Sequence, residues 1–289
     1  MNYRHIYHAG NICDVIKHIV ASMLLDYLRQ KDSAFFVLDT HAGIGLYDLL
    51  DERAQKTDEA KSGILKLLAS KPQGMTELEP YRKALAHSNP LWNPLKGIES
   101  FRFYPGSPRI VESMLCPQDR LVLCELHDED IIDLRRSMAR SSQTAVHHRD
   151  GFEALKAFLP PPEKRGLVII DPPYETLDEF QKLATAIADA HKRWPQGMFL
   201  IWYPVKDRPA LWNFHDALMD TGIPKQLIAE FIYQAEDRTD RLNGSGMILI
   251  NPPWRMDERL RDLLPRLHKM LETAYQGTDI RWLVGEVET

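Results

Sequence analysis

Short apolar runs recur along this chain at intervals a helix can fill, and most of them end in a carboxylate. Ala34-Phe35-Phe36-Val37-Leu38 runs into Asp39, and Leu121-Val122-Leu123-Cys124 into Glu125. Thr144-Ala145-Val146-His147 leads to Asp150-Gly151, and Leu167-Val168-Ile169-Ile170 to Asp171. Met198-Phe199-Leu200-Ile201-Trp202 leads to Tyr203-Pro204. Runs of this length, rich in β-branched and aromatic residues and bounded by polar or proline positions, read as buried strands. Stretches with helical spacing separate most of them, at about 108–115, 129–137, 152–158, 177–193 and 209–221. An earlier one runs from about Ile12 to Arg29, with Ile12, Val15, Ile16, Ile19, Val20, Met23, Leu24 and Tyr27 on an apolar stripe and Asn11 as its N-cap. It reads as an amphipathic helix. Strands alternating with helices imply βαβ units and a parallel sheet.

The alternation changes near the C-terminus. Gln226 to Ile232 and Gly246 to Ile250 are joined by a polar stretch with no helix in it, and read as an antiparallel hairpin. Five parallel strands and a hairpin make a Rossmann-like α/β fold with a mostly parallel seven-stranded sheet, the layout of class I methyltransferases. Residues 48–100, rich in helix formers and then in Pro, Asn and Trp, interrupt it as an inserted helical subdomain. The domain proper is then 1–47 with 101–289. A two-helix linker without function is the plainer reading of the insertion.

In an open parallel sheet, ligands sit at the carboxyl ends of the strands. Asp39, His41, Glu125, Asp150 and Asp171 therefore converge along one rim. The loop His41-Ala42-Gly43-Ile44-Gly45 lets backbone approach a ligand, although it lacks the full dinucleotide pattern. Glu125 is placed to accept two ribose hydroxyls, and Asp150 the amine of an adenine ring. The sharpest motif is Asp171-Pro172-Pro173-Tyr174, directly after an apolar strand. An adenine N6 amine is a poor nucleophile because its lone pair is delocalised into the ring. Asp171 and the Pro172 carbonyl can accept its two hydrogens, the prolines fix those acceptors, and Tyr174 can stack on an extruded base. Asn251-Pro252-Pro253-Trp254 is a near-copy, but an antiparallel last strand would aim it away from the rim. It is expected to end the strand and pack its indole.

A net charge of −5 argues against a general nucleic-acid coat protein, yet a nucleic-acid enzyme needs only a local basic surface. Cys13, Cys116 and Cys124 are scattered, with no CxxC pair, and read as small hydrophobes. His5 and His8 have the wrong spacing for a metal site, so no metal is expected. Tyr3 to His8, with Lys17 and His18, nevertheless concentrate more hydrogen-bonding groups than a plain helix entry needs. No apolar run approaches the ~20 residues of a membrane span. The N-terminus lacks a secretory core, which makes a cytoplasmic, membrane-free protein the expectation; a monomer is expected separately.

Specific stretches carry a resemblance. They include Tyr3-Arg4-His5 with His8-Ala9-Gly10-Asn11, Val15-Ile16-Lys17-His18, Leu38-Asp39-Thr40-His41-Ala42-Gly43, Tyr104-Pro105-Gly106-Ser107-Pro108, Glu125-Leu126-His127, Asp150-Gly151-Phe152, Asp171-Pro172-Pro173-Tyr174 and Trp202-Tyr203-Pro204. Together they cover nearly the whole chain, which resembles the RlmJ family of bacterial 23S rRNA adenine-N6 methyltransferases. The resemblance implies S-adenosyl-L-methionine held by His18, His41, Ser107, Glu125, Asp150, Gly151 and Asp171. It implies Asp171 acting on the adenine amine, with Tyr174 beside it, and Tyr3 and Lys17 near a 23S ribosomal RNA substrate. Two other readings compete. A DNA adenine-N6 methyltransferase shares the catalytic motif, but about 50 inserted residues leave little room for target recognition. A non-catalytic RNA-binding or ribosome assembly factor would not need Asp171, Tyr174 and Glu125 intact.

Overall fold

The computed structural model describes residues 4–71, 74–176 and 178–286. Tyr3 lies outside the described residues. The chain opens with α1 (Ile12–Leu28), β1 (Phe35–Asp39) and β2 (Leu46–Asp48), then α2 (Glu52–Thr57), α3 (Ile64–Ala69) and α4 (Glu79–Ser88). It continues through β3 (Phe103–Pro105), α5 (Ser107–Glu112), β4 (Arg120–Glu125), α6 (Asp130–Ser137), β5 (Thr144–His148), α7 (Gly151–Phe158), β6 (Arg165–Ile170) and α8 (Glu179–Arg193). The last part holds β7 (Met198–Val205), α9 (Arg208–Met219), β8 (Gln226–Ile232), β9 (Gly244–Ile250), α10 (Met256–Leu271) and β10 (Gly277–Val284).

The main sheet has the order β10-β8-β9-β7-β6-β1-β4-β5. The five strands from β5 to β7 pair in parallel, and β9 inserts antiparallel between β7 and β8. This is the class I methyltransferase order. One correction is needed: the sheet has eight strands rather than seven, because β10 adds antiparallel to β8. The extra strand escaped notice because Thr278, Asp279 and Arg281 break any apolar run, as suits a polar edge.

Period-2 alternation splits the sheet between two cores. Phe35, Val37, Leu121, Leu123, Leu167 and Ile169 face the layer built from α1, α4, α5, α6 and α10. Phe36, Leu38, Val122, Val168 and Ile170 face α7, α8 and α9. The first layer also takes Ile64, Leu67, Tyr81 and Leu85 from the segment between β2 and β3, so those helices share the main core. That segment roofs α1. The helix expected to be amphipathic is in fact buried nearly all round, including Lys17 and His18.

Candidate active site

The strand order reverses at β1, which has β4 on one side and β6 on the other, both parallel to it. A crevice opens at such a switch point. Here it is a cleft of about 550 Å³, reaching from the strand ends to α1 and the N-terminal segment. His18, His41, Ser107, Glu125, Asp150 and Gly151 all line it, as do Lys17, Asp171 and Tyr174. Asp39 does not. It is wholly buried beneath the rim, with Oδ1 accepting from the His41 amide at 3.3 Å and Oδ2 unpartnered. Burial pushes its carboxyl up to about 6 against the pull of the His41 amide.

The loop after β1 has to turn tightly. Gly43 and Gly45 take φ +60° and +78°, and a Cβ on Gly43 would collide with the Tyr47 hydroxyl. The turn delivers the Gly43 amide to Glu125 Oε2 at 2.8 Å, while Oε1 accepts from the His127 amide at 2.8 Å. Glu125 is therefore held rigidly at the end of β4. Burial raises its carboxyl, and Asp130 adds to this against the backbone amides. Asp150 caps α7, its Oδ1 accepting from the Phe152 and Glu153 amides at 2.9 and 3.0 Å, which leaves Oδ2 outside the cap. Gly151 is needed for close packing, since a Cβ there would sit 2.6 Å from His41 Cε1. Burial lowers His41 to about 4, so its ring is neutral near pH 7, and its Nδ1 lies 2.8 Å from the Thr40 hydroxyl. His18 is pushed down to about 3 by burial and the Lys17 charge, with Nδ1 2.7 Å from the Tyr104 hydroxyl.

Asp171 leaves β6 beside the Lys17 ammonium, which pairs with its Oδ2 and also with Asp14 Oδ1 at 3.1 Å. Burial would depress that ammonium, but Asp171 and Asp14 together hold it above its ordinary value. The other Asp14 oxygen takes His5 Nε2 at 2.8 Å and the Gly10 amide at 2.9 Å. Asp14 is 1% exposed, and although burial opposes ionisation, His5 and Lys17 hold it well below the usual carboxylate range. Asp14 went unnoticed in the sequence. Its signal is the i, i+3 spacing to Lys17 on an otherwise apolar helix. The histidines that looked too concentrated at the N-terminus thus meet a buried acid. Among the described residues, no group of three or more His, Cys, Asp or Glu side chains could hold a metal.

Tyr174 adopts φ +54° and donates its hydroxyl to the Trp202 carbonyl. Its ring meets the Trp202 indole edge-on at 5.8 Å, and the indole Nε1 donates to Ser245 Oγ at 2.9 Å. Trp202, with Pro204 and Lys206 after it, forms the β7 side of the cleft. The near-copy motif lies elsewhere. Ile250 pairs with Phe199 and Gln226 at the opposite ends of β7 and β8, so Asn251-Pro252-Pro253-Trp254 exits at the far rim. Its indole does not pack as expected: Trp254 is 81% exposed, and the strand end is closed by a left-handed turn at Asn251, whose Nδ2 donates to the Pro195 and Gly197 carbonyls at 2.8 Å each.

Residues 32–284 match the family model described as Ribosomal RNA large subunit methyltransferase D, RlmJ. The chain belongs to this family. It is 39% identical to Ribosomal RNA large subunit methyltransferase J of Escherichia coli (strain K12), and 37% identical to the protein of the same name from Haemophilus influenzae. Both matches span 287 residues, 99% of this chain and 100% of each relative. A crystal structure of protein LPL1258 from Legionella pneumophila has a TM-score of 0.85 at 33% identity, over 95% of this chain and 98% of that one.

Proposed function

We propose that this chain transfers a methyl group from S-adenosyl-L-methionine to the N6 amine of a specific adenine in 23S ribosomal RNA, acting as a cytoplasmic monomer. One observation carries the reading: Asp171-Pro172-Pro173-Tyr174 opens into the same cleft as the Gly43 turn, Glu125 and Asp150. Family membership and full-length similarity to ribosomal RNA methyltransferases support it.

The donor set suits the cofactor. Glu125 and the uncapped oxygen of Asp150 are acceptors for hydroxyl and amine groups, and the Gly43 turn brings backbone into the cleft beside Glu125. His18, His41, Ser107 and Gly151 complete the proposed wall, with Asp171 at the end facing substrate. When bound, S-adenosylmethionine supplies an electrophilic methyl on a sulfonium. The chain's own residues do the rest. Lys17 occupies Asp171 Oδ2 and thereby orients the carboxylate, so that Oδ1 and the Pro172 carbonyl accept the two N6 hydrogens. Drawing on those hydrogens localises the nitrogen lone pair toward the reacting carbon. Tyr174, fixed through its hydroxyl, offers its ring to the face of a base taken out of its stack. Tyr3 and Lys17 are proposed to meet the RNA. Alignment of this kind accounts for most of the expected rate gain.

The test is transfer from labelled S-adenosylmethionine to undermodified 23S RNA, with mass analysis of the digested nucleosides. N6-methyladenosine with the wild-type chain, absent with Asp171→Ala, is the expected result. Label entering only DNA would move the assignment to a DNA enzyme. RNA binding that is indifferent to cofactor and to Asp171→Ala would point to a binding factor.

A further inference from the structure

Two histidines held neutral by burial line the cleft, His18 on α1 and His41 on the loop after β1. Each has Nδ1 hydrogen-bonded into the protein and Nε2 without a partner among the described residues. A neutral imidazole carries one hydrogen, so the partner of Nδ1 decides whether Nε2 donates or accepts.

His18 Nδ1 lies 2.7 Å from the Tyr104 hydroxyl, which lies 3.1 Å from the Tyr81 hydroxyl. Both phenols are fully buried, and the Tyr81 hydroxyl has no other partner among the described residues. If Tyr81 donates to Tyr104 and Tyr104 to Nδ1, every hydrogen finds an acceptor. If Nδ1 donates to Tyr104 and Tyr104 to Tyr81, the Tyr81 hydrogen is buried with no acceptor, which is the less stable state. The first arrangement puts the ring hydrogen of His18 on Nε2.

His41 is held the other way. Thr40 Oγ1 lies 3.0 Å from the Ile169 carbonyl oxygen and 2.8 Å from His41 Nδ1. A carbonyl has no hydrogen to give, so the hydroxyl must donate across that oxygen–oxygen contact. Nδ1 then donates to Oγ1, and Nε2 keeps a bare lone pair. The two rings also have different neighbours. His41 packs on Gly151, where a Cβ would stand 2.8 Å from its Nε2, next to Asp150. His18 follows Lys17, whose ammonium is already paired with Asp171 and Asp14.

We infer that the two histidines are locked in opposite tautomers that set which way round the cofactor lies, His41 Nε2 accepting from its nucleoside and His18 Nε2 donating to its methionyl carboxylate, with Thr40 and Tyr104 as the positioning residues. The inference rests on the reading in which both histidines hold S-adenosylmethionine. A carboxylate entering a cleft lined by Glu125, Asp150 and Asp171 needs a donor, and Lys17 is not free to be one.

Nitrogen NMR of the full-length chain, isotopically labelled at histidine nitrogen, reads the tautomers near neutral pH. Signals are assigned by their loss in His18→Gln and His41→Gln. Nε2 should be protonated in His18 and Nδ1 in His41. The same tautomer in both rings, or the reverse pair, overturns the inference, and these wild-type spectra decide even if a variant does not fold. Calorimetry gives a second readout. Tyr104→Phe should weaken S-adenosylmethionine roughly five- to thirtyfold, and its decarboxylated analogue by less than about twofold. Tyr81→Phe removes a neighbouring buried hydroxyl but leaves Tyr104 donating, so it should keep the His18 tautomer and stay within about twofold for both ligands. Thr40→Val should give His41 a mixture of tautomers and weaken both ligands alike, roughly three- to tenfold. Equal losses for the two ligands in Tyr104→Phe, or the same loss in Tyr81→Phe, would reduce Tyr104 to packing and overturn the inference. A wild-type chain that binds neither ligand overturns the cofactor reading, and this inference with it.

Discussion

Asp171 is held by an ammonium and Glu125 by two backbone amides, so their removal should have separable effects. Asp171→Ala leaves Lys17 paired with Asp14, the fold is kept, and turnover should vanish while cofactor affinity stays within a few-fold. Glu125→Ala should instead weaken cofactor binding by about 1–3 kcal/mol, the scale for a lost charged hydrogen-bond partner. Calorimetric titration of both variants checks the division, and equal affinities would contradict it. Tyr174→Phe keeps the ring and loses the bond to the Trp202 carbonyl, so it should retain far more activity than Tyr174→Ala in the same assay. Asp39 gives a pH signature. Its folded pKa of about 6 lies above the ordinary 3.8, so the folded chain binds this proton more tightly than the unfolded chain. The resulting stability is complete below the ordinary value and is lost as pH rises through the folded one, on the order of 3 kcal/mol. Asp39→Asn should therefore raise the melting temperature over wild type at neutral pH, with the gap closing in acid. A gap that does not change with pH would refute burial as its cause. Sequence placed Asp39 on the rim with the other strand-end acids, yet the structure seals it below, because a strand-end position does not say which face the side chain takes.

At the scale of elements, the parallel strands were legible because both of their faces are buried, which makes each a continuous apolar run. The polar edge strand β10 gave no such run. Helix α1 misled for the opposite reason. Lys17 and His18 look like a solvated face, but partners from Asp171 and Tyr104, more than 80 residues away, pay for their burial. Pairings of that range leave no local pattern. Strand direction, by contrast, could be read from the missing helix between β8 and β9, and it correctly set the second proline motif apart from the cleft. Asn251 then serves as a strand terminator, and Asn251→Ala should cost about 1–3 kcal/mol, because the exposed Pro195 and part-buried Gly197 carbonyls lose their donor and a left-handed turn loses a residue suited to it. Chemical denaturation measures that loss, and kcat should be unaffected. A fall in kcat without a fall in stability would return the motif to the reaction.

The whole molecule joins these elements through one continuous layer. Leu85 of α4 is fully buried in the same cluster as Ile16 of α1 and Val37 of β1, with no seam between insertion and sheet. The boundary that composition suggests near residue 48 follows a change in charge and proline content, and such a change says nothing about whether two stretches bury each other's surface. If the core is shared, the insertion cannot melt on its own. Leu85→Ala should then cost about 2–5 kcal/mol, the range for a deleted buried leucine, and shift a single transition. Far-ultraviolet circular dichroism reports helices and sheet together, and limited proteolysis within residues 52–88 reports the insertion. The two should lose structure at the same temperature in wild type and variant. Cleavage of the insertion well below the main transition would make it a separate unit.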